Sequence, residues 1–226
     1  MDLLQFSLLD MTPYDKQSWF SLVAGYREGL EPFRVFVVSY IVIISLLLFK
    51  YRQLHLSQST SVRLVLGLLG SSWIWCGVVF HWQHFANLNW AAPLFGWVFI
   101  VQGVLLLLAA FTLKQVSWIS FITQRGALVG VSLAVGLLAY PFIGIFEGRV
   151  VHELEWFPLL PAPVTLVTFA ILMLMDSRWR HGLVVIPLLW AIVSGAFAYT
   201  LGLLEFYFMA GVILFWISHF FAKKTL

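Results

Sequence analysis

Seven long apolar segments dominate this sequence, and each approaches the length of a helix that crosses a lipid bilayer. Such a helix needs about 20 mostly apolar residues, with a range of roughly 17 to 25. The chain is 62% apolar and 10% charged, whereas soluble domains are about 45 to 50% apolar and about 25% charged. The sequence therefore predicts an all-α fold, a polytopic transmembrane helix bundle, with residues 1–226 forming a single integral membrane domain.

The apolar segments predict about seven spans. They lie near residues 33–49, 62–80, 92–113, 126–146, 158–175, 182–202 and 203–221. The last two segments follow each other closely, and Gly202 and Glu205 mark the break between them. If that break were absent, the chain would have six spans instead.

The charged residues predict how the bundle is oriented, because loops kept in the cytoplasm carry an excess of Lys and Arg. With seven spans, one set of loops is basic and contains Lys50, Arg52, Arg63, Lys114, Arg125, Arg178, Arg180, Lys223 and Lys224, with Asp176 as its acid. The other set is acidic and contains Asp2, Asp10, Asp15, Glu28, Glu31, Glu147, Glu153, Glu155 and Glu205, with Lys16, Arg27, Arg34 and Arg149. We expect the N-terminus outside and the C-terminus inside. Six spans would move Lys223 and Lys224 to the outer side, so the charges favour seven.

Residues 1–32 are predicted to form an extracytoplasmic N-terminal segment. They lack the basic start and apolar stretch of a cleavable signal peptide, so the first span is expected to direct insertion. Thr12, Pro13 and Asp15 are typical of a helix start, with Thr12 as the N-cap. The aromatic residues that follow favour a short helix lying in the membrane interface. A polar tail without fixed structure is the alternative.

Basic residues occur in ones and twos between apolar segments, so the net charge of +3 does not indicate a nucleic-acid partner. Cys76 is the single cysteine, which excludes an intrachain disulfide and a cysteine-based zinc framework. The sequence also lacks phosphate-binding loops, HExxH, GxSxG and dinucleotide-binding motifs. It therefore favours a protein that is not an enzyme, with no resident cofactor and with the lipid bilayer as its first partner.

Three histidines form the candidate metal site. His81 and His84 are three residues apart at the outer end of the second span, so a continuous α-helix would place both imidazoles on one side. His152, or Glu153 beside it, could add a third ligand from the outer loop, as a catalytic zinc site requires. Hydrogen-bonding histidines of the interfacial aromatic belt are the alternative interpretation.

Four residues form the candidate cavity: His81, Gln102, Glu147 and Glu205. Gln102 falls near the middle of the third span, and Glu147 and Glu205 are the acids closest to the hydrocarbon region. An ionisable group at that depth is a functional candidate. The alternative for Gln102 is a structural hydrogen bond between helices.

Several stretches, taken together and in order, resemble a family of small bacterial polytopic membrane proteins described as a domain of unknown function. The matching stretches are 75–81 (WCGVVFH), 89–102 (NWAAPLFGWVFIVQ), Tyr140-Pro141, 161–169 (PAPVTLVTF) and 186–195 (IPLLWAIVSG). The resemblance implies a multi-pass protein of the bacterial cytoplasmic (inner) membrane, sometimes labelled permease-like. It also implies that His81, Asn89 and Gln102 are recurrent polar positions. The chain departs from the family pattern at Tyr26-Arg27 and Glu31-Pro32.

Three functions remain open at this level. The first is a transporter or permease for a small solute or ion, with a polar cavity open to the outside. The second is a metal-dependent membrane hydrolase built on the three histidines. The third is a structural or assembly subunit of a membrane complex. The sequence does not distinguish substrates or oligomeric states.

Overall fold

The structure is a computed structural model, and it describes residues 12–30, 32–119, 130 and 133–221. Parts of the predicted segments lie outside these residues: 1–11 of the N-terminal segment, Glu31, Arg125, most of 126–134, Lys223 and Lys224. The described chain is mostly helical, with one short pair of strands. The predicted helical class of fold is therefore confirmed for the described residues.

Helix α1 spans Lys16–Glu28 and packs onto the bundle through Phe20, Val23 and Tyr26. Its N-cap is Asp15, whose carboxylate accepts a hydrogen bond from the Ser18 amide at 2.8 Å. The predicted N-cap, Thr12, is wrong, because a carboxylate at position 15 already satisfies a free amide of the first turn. The predicted short helix before the first apolar segment is present.

Helix α2 spans Phe33–Phe49. The next two helices are antiparallel and form the longest packed pair. Helix α3 spans Gln58–Trp75 and continues as a π-helical segment, Cys76–His84, and a 3₁₀ turn, Phe85–Asn87. Helix α4 then spans Ala92–Thr112. Glycines allow the backbones of these two helices to approach closely, as small residues do in membrane helix pairs.

The second half of the chain contributes a central helix, which packs against elements of both halves. A π-helical turn, Val135–Ala139, leads into α5 (Tyr140–Phe146), and α6 spans Pro161–Leu174 with every residue buried. Trp73 of α3 donates its indole N–H to Thr168 of α6 at 2.9 Å. Because every residue of α6 is buried, its apolar composition is explained by packing within the protein.

Short strands β1 (Ser117–Trp118) and β2 (Met175–Asp176) pair antiparallel, with Ser117 opposite Asp176. This pair was not predicted. After it come α7 (Trp179–Leu183), α8 (Val185–Thr200) and α9 (Glu205–Phe221). Gly202 has a φ of +65°, a left-handed conformation that suits glycine, so the predicted break before the last segment is present.

Three helices of the described chain are long and apolar enough to cross a membrane: Gln58–Asn87, Ala92–Thr112 and Trp179–Thr200. Helices also occur in the other predicted segments, but they are shorter, at Arg34–Phe49, Val135–Phe146, Pro161–Leu174 and Glu205–Phe215. At 1.5 Å per residue, the 14 residues of α6 reach about 21 Å, against a hydrocarbon core of about 30 Å. The count of seven spans stays a prediction.

Candidate functional site

A buried arginine, Arg149, lies in the loop between α5 and α6 among three carboxylates. Its guanidinium forms ion pairs with Glu147 and Glu205, and Nη1 lies 3.7 Å from Oε1 of Glu155. The Arg149 side chain is 1% exposed, and none of the three glutamate side chains exceeds 6%. We call these four residues the Arg149 cluster.

The backbone at the end of α5 positions the cluster. Gly148 adopts a φ of +78°, and the Arg149 amide then donates to the Gly144 carbonyl at 2.9 Å. This turn folds the arginine back against the end of its own helix. Glu205 enters from the first turn of α9, and the Leu204 amide just before it donates to Glu147 at 2.6 Å. The cluster thus joins the α5–α6 loop to the α8–α9 loop.

Helix α1 covers the cluster on one side. The Arg149 guanidinium lies 4.5 Å from the ring centre of Phe20, a cation–π contact. Trp19 donates its indole N–H to Glu155 at 3.3 Å. Arg27, about two turns further along α1, donates to the Val151 carbonyl of the same loop. These contacts separate the cluster from solvent.

The charges of the cluster do not balance when all its groups are ionised. One guanidinium and three carboxylates give a formal charge of −2 in a buried site, which is costly unless a proton or another cation is bound. Burial raises the pKa of Glu155 to about 7, although Arg149 opposes this effect. The other ionisable groups facing Glu155 are Glu147, Glu205, Tyr14 and Tyr140. Burial also raises the pKa of Glu205, and Glu155, with a pKa of about 7, is a group positioned to gain and lose a proton near neutral pH.

We expect Glu155→Gln to flatten the pH dependence of stability. Because the pKa of Glu155 rises from its usual 4.5 to about 7 on folding, the folded protein binds this proton more tightly than the unfolded chain. The contribution of Glu155 to the free energy of unfolding is complete below about pH 4.5 and is lost as the pH rises to about 7. The change is on the order of 3 kcal/mol. Thermal unfolding in detergent between about pH 5 and about pH 7.5 measures it.

Glu28→Gln is the matched control for that measurement, because Glu28 is an exposed acid near the end of α1. It should keep the wild-type dependence, with the unfolding temperature falling as the pH rises. Equal pH dependence in the wild type and in Glu155→Gln would contradict the assignment.

A small cavity of about 40 Å³ adjoins the cluster. Glu155 and Glu205 line it on one side, and aromatic rings such as Trp19, Phe85 and Trp190 line the rest. A water molecule needs roughly 10 to 15 Å³ on this measure, so the cavity has room for about three waters. It is lined by charge and by aromatic faces together.

The four predicted cavity residues do not share one site. Glu147 and Glu205 meet at Arg149, but Gln102 is buried elsewhere and donates to the Leu183 carbonyl at 2.9 Å. His81 is fully buried among aromatic rings, with Phe99 at 4.6 Å and Trp190 at 5.1 Å between ring centres. Helix packing separates them, since Gln102 and His81 face the middle of the bundle and the acids lie at its end.

The three predicted metal ligands are also apart. His84 packs its ring 4.9 Å from Tyr26 of α1, with Nδ1 2.9 Å from the Val79 carbonyl, whereas His81 faces α4 and α8. The expected shared face is wrong because residues 76–84 are π-helical, and the wider turn rotates the i+3 position away. His152 lies exposed in a 3₁₀ turn. Within the described residues, no three His, Cys, Asp or Glu side chains are grouped to hold a metal ion.

Sequence reasoning missed Arg149, Glu155 and Trp19 as site residues and counted the two charged ones as loop charges. The available signal was an arginine among acids in the longest loop between apolar segments. Glu147 directly follows one apolar segment, and Glu205 begins another. An arginine in such a loop has nearby carboxylates to neutralise its charge when the loop is buried.

These features define a mostly helical protein with membrane-capable helices and a buried Arg–Glu cluster between two of its loops. The sequence profile of DUF6064, a family of unknown function, matches residues 16–225, and the chain belongs to this family. The predicted membership of a family without an assigned function is thereby confirmed. No curated protein and no solved structure shows significant similarity to the chain.

Proposed function

We propose that this protein is a multi-pass, permease-like protein of the bacterial inner membrane that binds and moves a small cation, a proton included, through the Arg149 cluster. The observation that carries the proposal is the buried excess of negative charge around Arg149. In membrane proteins, ionisable residues that are buried inside the bundle and paired with one another mark ion pathways and proton relays. The lipid bilayer is its partner in this proposal.

Loop contacts support the alternation of seven spans, and the distribution of Lys and Arg supports the N-terminus outside. If spans alternate in direction, the α5–α6 and α8–α9 loops share the outer side, and Arg149 of one contacts Glu205 of the other. The loops before α5 and after α6 then share the inner side, and they pair through β1 and β2. Both contacts join loops that the charge pattern assigns to the same side.

A transport assay tests the proposal. Purified protein in liposomes should give charge-movement currents on a concentration jump of at least one member of a panel of protons, sodium, potassium and ammonium. Glu205→Gln should reduce that current by about tenfold or more, because it removes a charged ligand of the site. Glu28→Gln, an exposed outer acid, should leave it unchanged.

Currents that never exceed those of empty liposomes would contradict the proposal. Currents that are equal in the wild type and Glu205→Gln would show that the ion moves by another route. Either result leaves the fold and the family assignment intact.

A further inference from the structure

One of the carboxylates that line the cavity beside the Arg149 cluster has an unsatisfied acceptor oxygen. Glu205 is 4% exposed and lines the cavity, and its Oε1 pairs with Arg149. Its Oε2 is buried and has no hydrogen-bond partner among the described residues. An unpaired carboxylate oxygen in such a place is costly, so the site favours a ligand that donates a hydrogen bond and carries positive charge.

Aromatic rings form most of the remaining wall of the cavity. Trp19 packs edge-to-face against Phe80 at 6.0 Å and against Phe85 at 5.5 Å. All three rings line the cavity together with Trp190. Aromatic faces attract cations, most strongly when the cation is removed from water. A cation–π contact of this kind is already present in the adjacent Arg149 cluster, where the guanidinium lies over the Phe20 ring.

We propose that the cavity is a binding site for a small ammonium compound, the ammonium ion or a small primary amine such as methylammonium. This inference rests on the proposed function for the identity of the site and adds the ligand class. The N–H groups of such a cation would donate to Glu205 Oε2 and to Glu155, while its remaining surface contacts the rings. The cavity has room for about three water molecules, which is enough for a cation of one or two heavy atoms.

Other cations fit the lining less well. Hard ions such as magnesium and calcium take six or more oxygen ligands, and no three His, Cys, Asp or Glu side chains in the part of the chain that the structure describes are grouped to hold such an ion. Sodium would coordinate the carboxylates without directed hydrogen bonds, whereas an ammonium group donates several N–H groups to them. A larger quaternary ammonium would exceed the space.

Protons should compete with this ligand. Glu155, whose pKa is raised to about 7, loses its negative charge below that pH. The groups that face it, Arg149, Glu147, Glu205, Tyr14 and Tyr140, do not replace that charge. Binding should therefore be weaker at about pH 6 than at about pH 8.

The test uses detergent-purified full-length protein and follows thermal unfolding with increasing methylammonium chloride at constant ionic strength. Methylammonium should raise the unfolding temperature at about pH 8 more than at about pH 6, and more than sodium chloride does at either pH. Glu205→Gln should weaken the apparent affinity by about tenfold or more. Glu28→Gln should match the wild type, and the unfolding temperature of Glu205→Gln in sodium chloride reports whether that variant is folded.

An absent methylammonium effect at about pH 8, an equal effect of sodium, or an unchanged effect in folded Glu205→Gln would each overturn the inference. The result is separable from the transport assay. Binding of methylammonium without current in liposomes would retain the site and reject the permease. Currents from other cations without methylammonium binding would retain the permease and reject the ammonium site.

Discussion

Replacing Arg149 with methionine is expected to destabilise the protein by about 3 to 5 kcal/mol, the usual cost of removing one partner from a buried ion pair. Methionine retains much of the side-chain volume but leaves Glu147, Glu155 and Glu205 without their cation. Phe20 of α1 also loses its cation–π contact. The change in unfolding free energy, measured by denaturant titration in detergent, should be larger at about pH 8 than at about pH 6, where Glu155 holds a proton.

A compensating variant tests the cause. Combining Arg149→Met with Glu147→Gln, Glu155→Gln and Glu205→Gln removes every charge of the cluster and should recover most of the lost stability, since neutral replacements of buried ion pairs are often tolerated. Arg149→Lys should fall between the wild type and Arg149→Met. Its one ammonium nitrogen cannot replace both Nη2, which pairs with Glu147 and Glu205, and Nη1, which faces Glu155. If the quadruple variant were no more stable than Arg149→Met alone, packing and not charge would explain the loss.

The positions of the helices could be predicted because apolar length is a local property of the sequence. The segment predicted at 33–49 coincides with α2, and the break at Gly202 is a positive-φ turn. Membrane-crossing ability is less local. Helix α6 is apolar because it is buried on all sides by protein, and an apolar sequence does not distinguish that environment from lipid.

Two acids of the candidate site could be selected from the sequence, but their partners could not, because the pairing depends on residues far apart in the chain. Glu147 and Glu205 stand out in the sequence as acids at the edges of apolar segments. Their shared partner, Arg149, is 56 residues from Glu205, and Trp19 is 136 residues from Glu155. Pairings over such distances depend on how the loops meet at one end of the bundle. The local spacing of residues in the sequence does not predict these pairings.

The α-helical periodicity of the sequence did not predict the orientation of the histidines, because the helix changes from α to π in that segment. The spacing of His81 and His84 indicates a shared face in an α-helix, but the chain is π-helical from Cys76 to His84. Gly77 lies in this segment, and a Cβ added to it would lie 2.7 Å from the Gly96 carbonyl. Close packing against α4 at Gly77 accompanies the wider turn, which places His81 and His84 against different helices.

Gly103→Ala is expected to destabilise the α3–α4 pair by about 1 to 3 kcal/mol, the usual cost of adding a methyl group to a packed interior. A Cβ at this position would lie 2.7 Å from the Gly70 carbonyl and 2.6 Å from Cγ1 of Ile74. A helix backbone cannot move aside as a flexible side chain does, so the two helices must separate. Their separation would also disturb Phe99 and Trp73, which pack 4.4 Å apart between the helices.

Gly67→Ala is the matched control, because Gly67 lies in α3 one turn before Gly70 and has nothing within 4 Å of an added Cβ. There the change should stabilise the helix by up to about 1 kcal/mol, since alanine has the higher helix propensity. The two substitutions are chemically identical, so opposite signs in denaturant unfolding would isolate the backbone contact as the cause. Equal effects of both substitutions would mean that α3 and α4 are not held as closely as Gly70 and Gly103 place them.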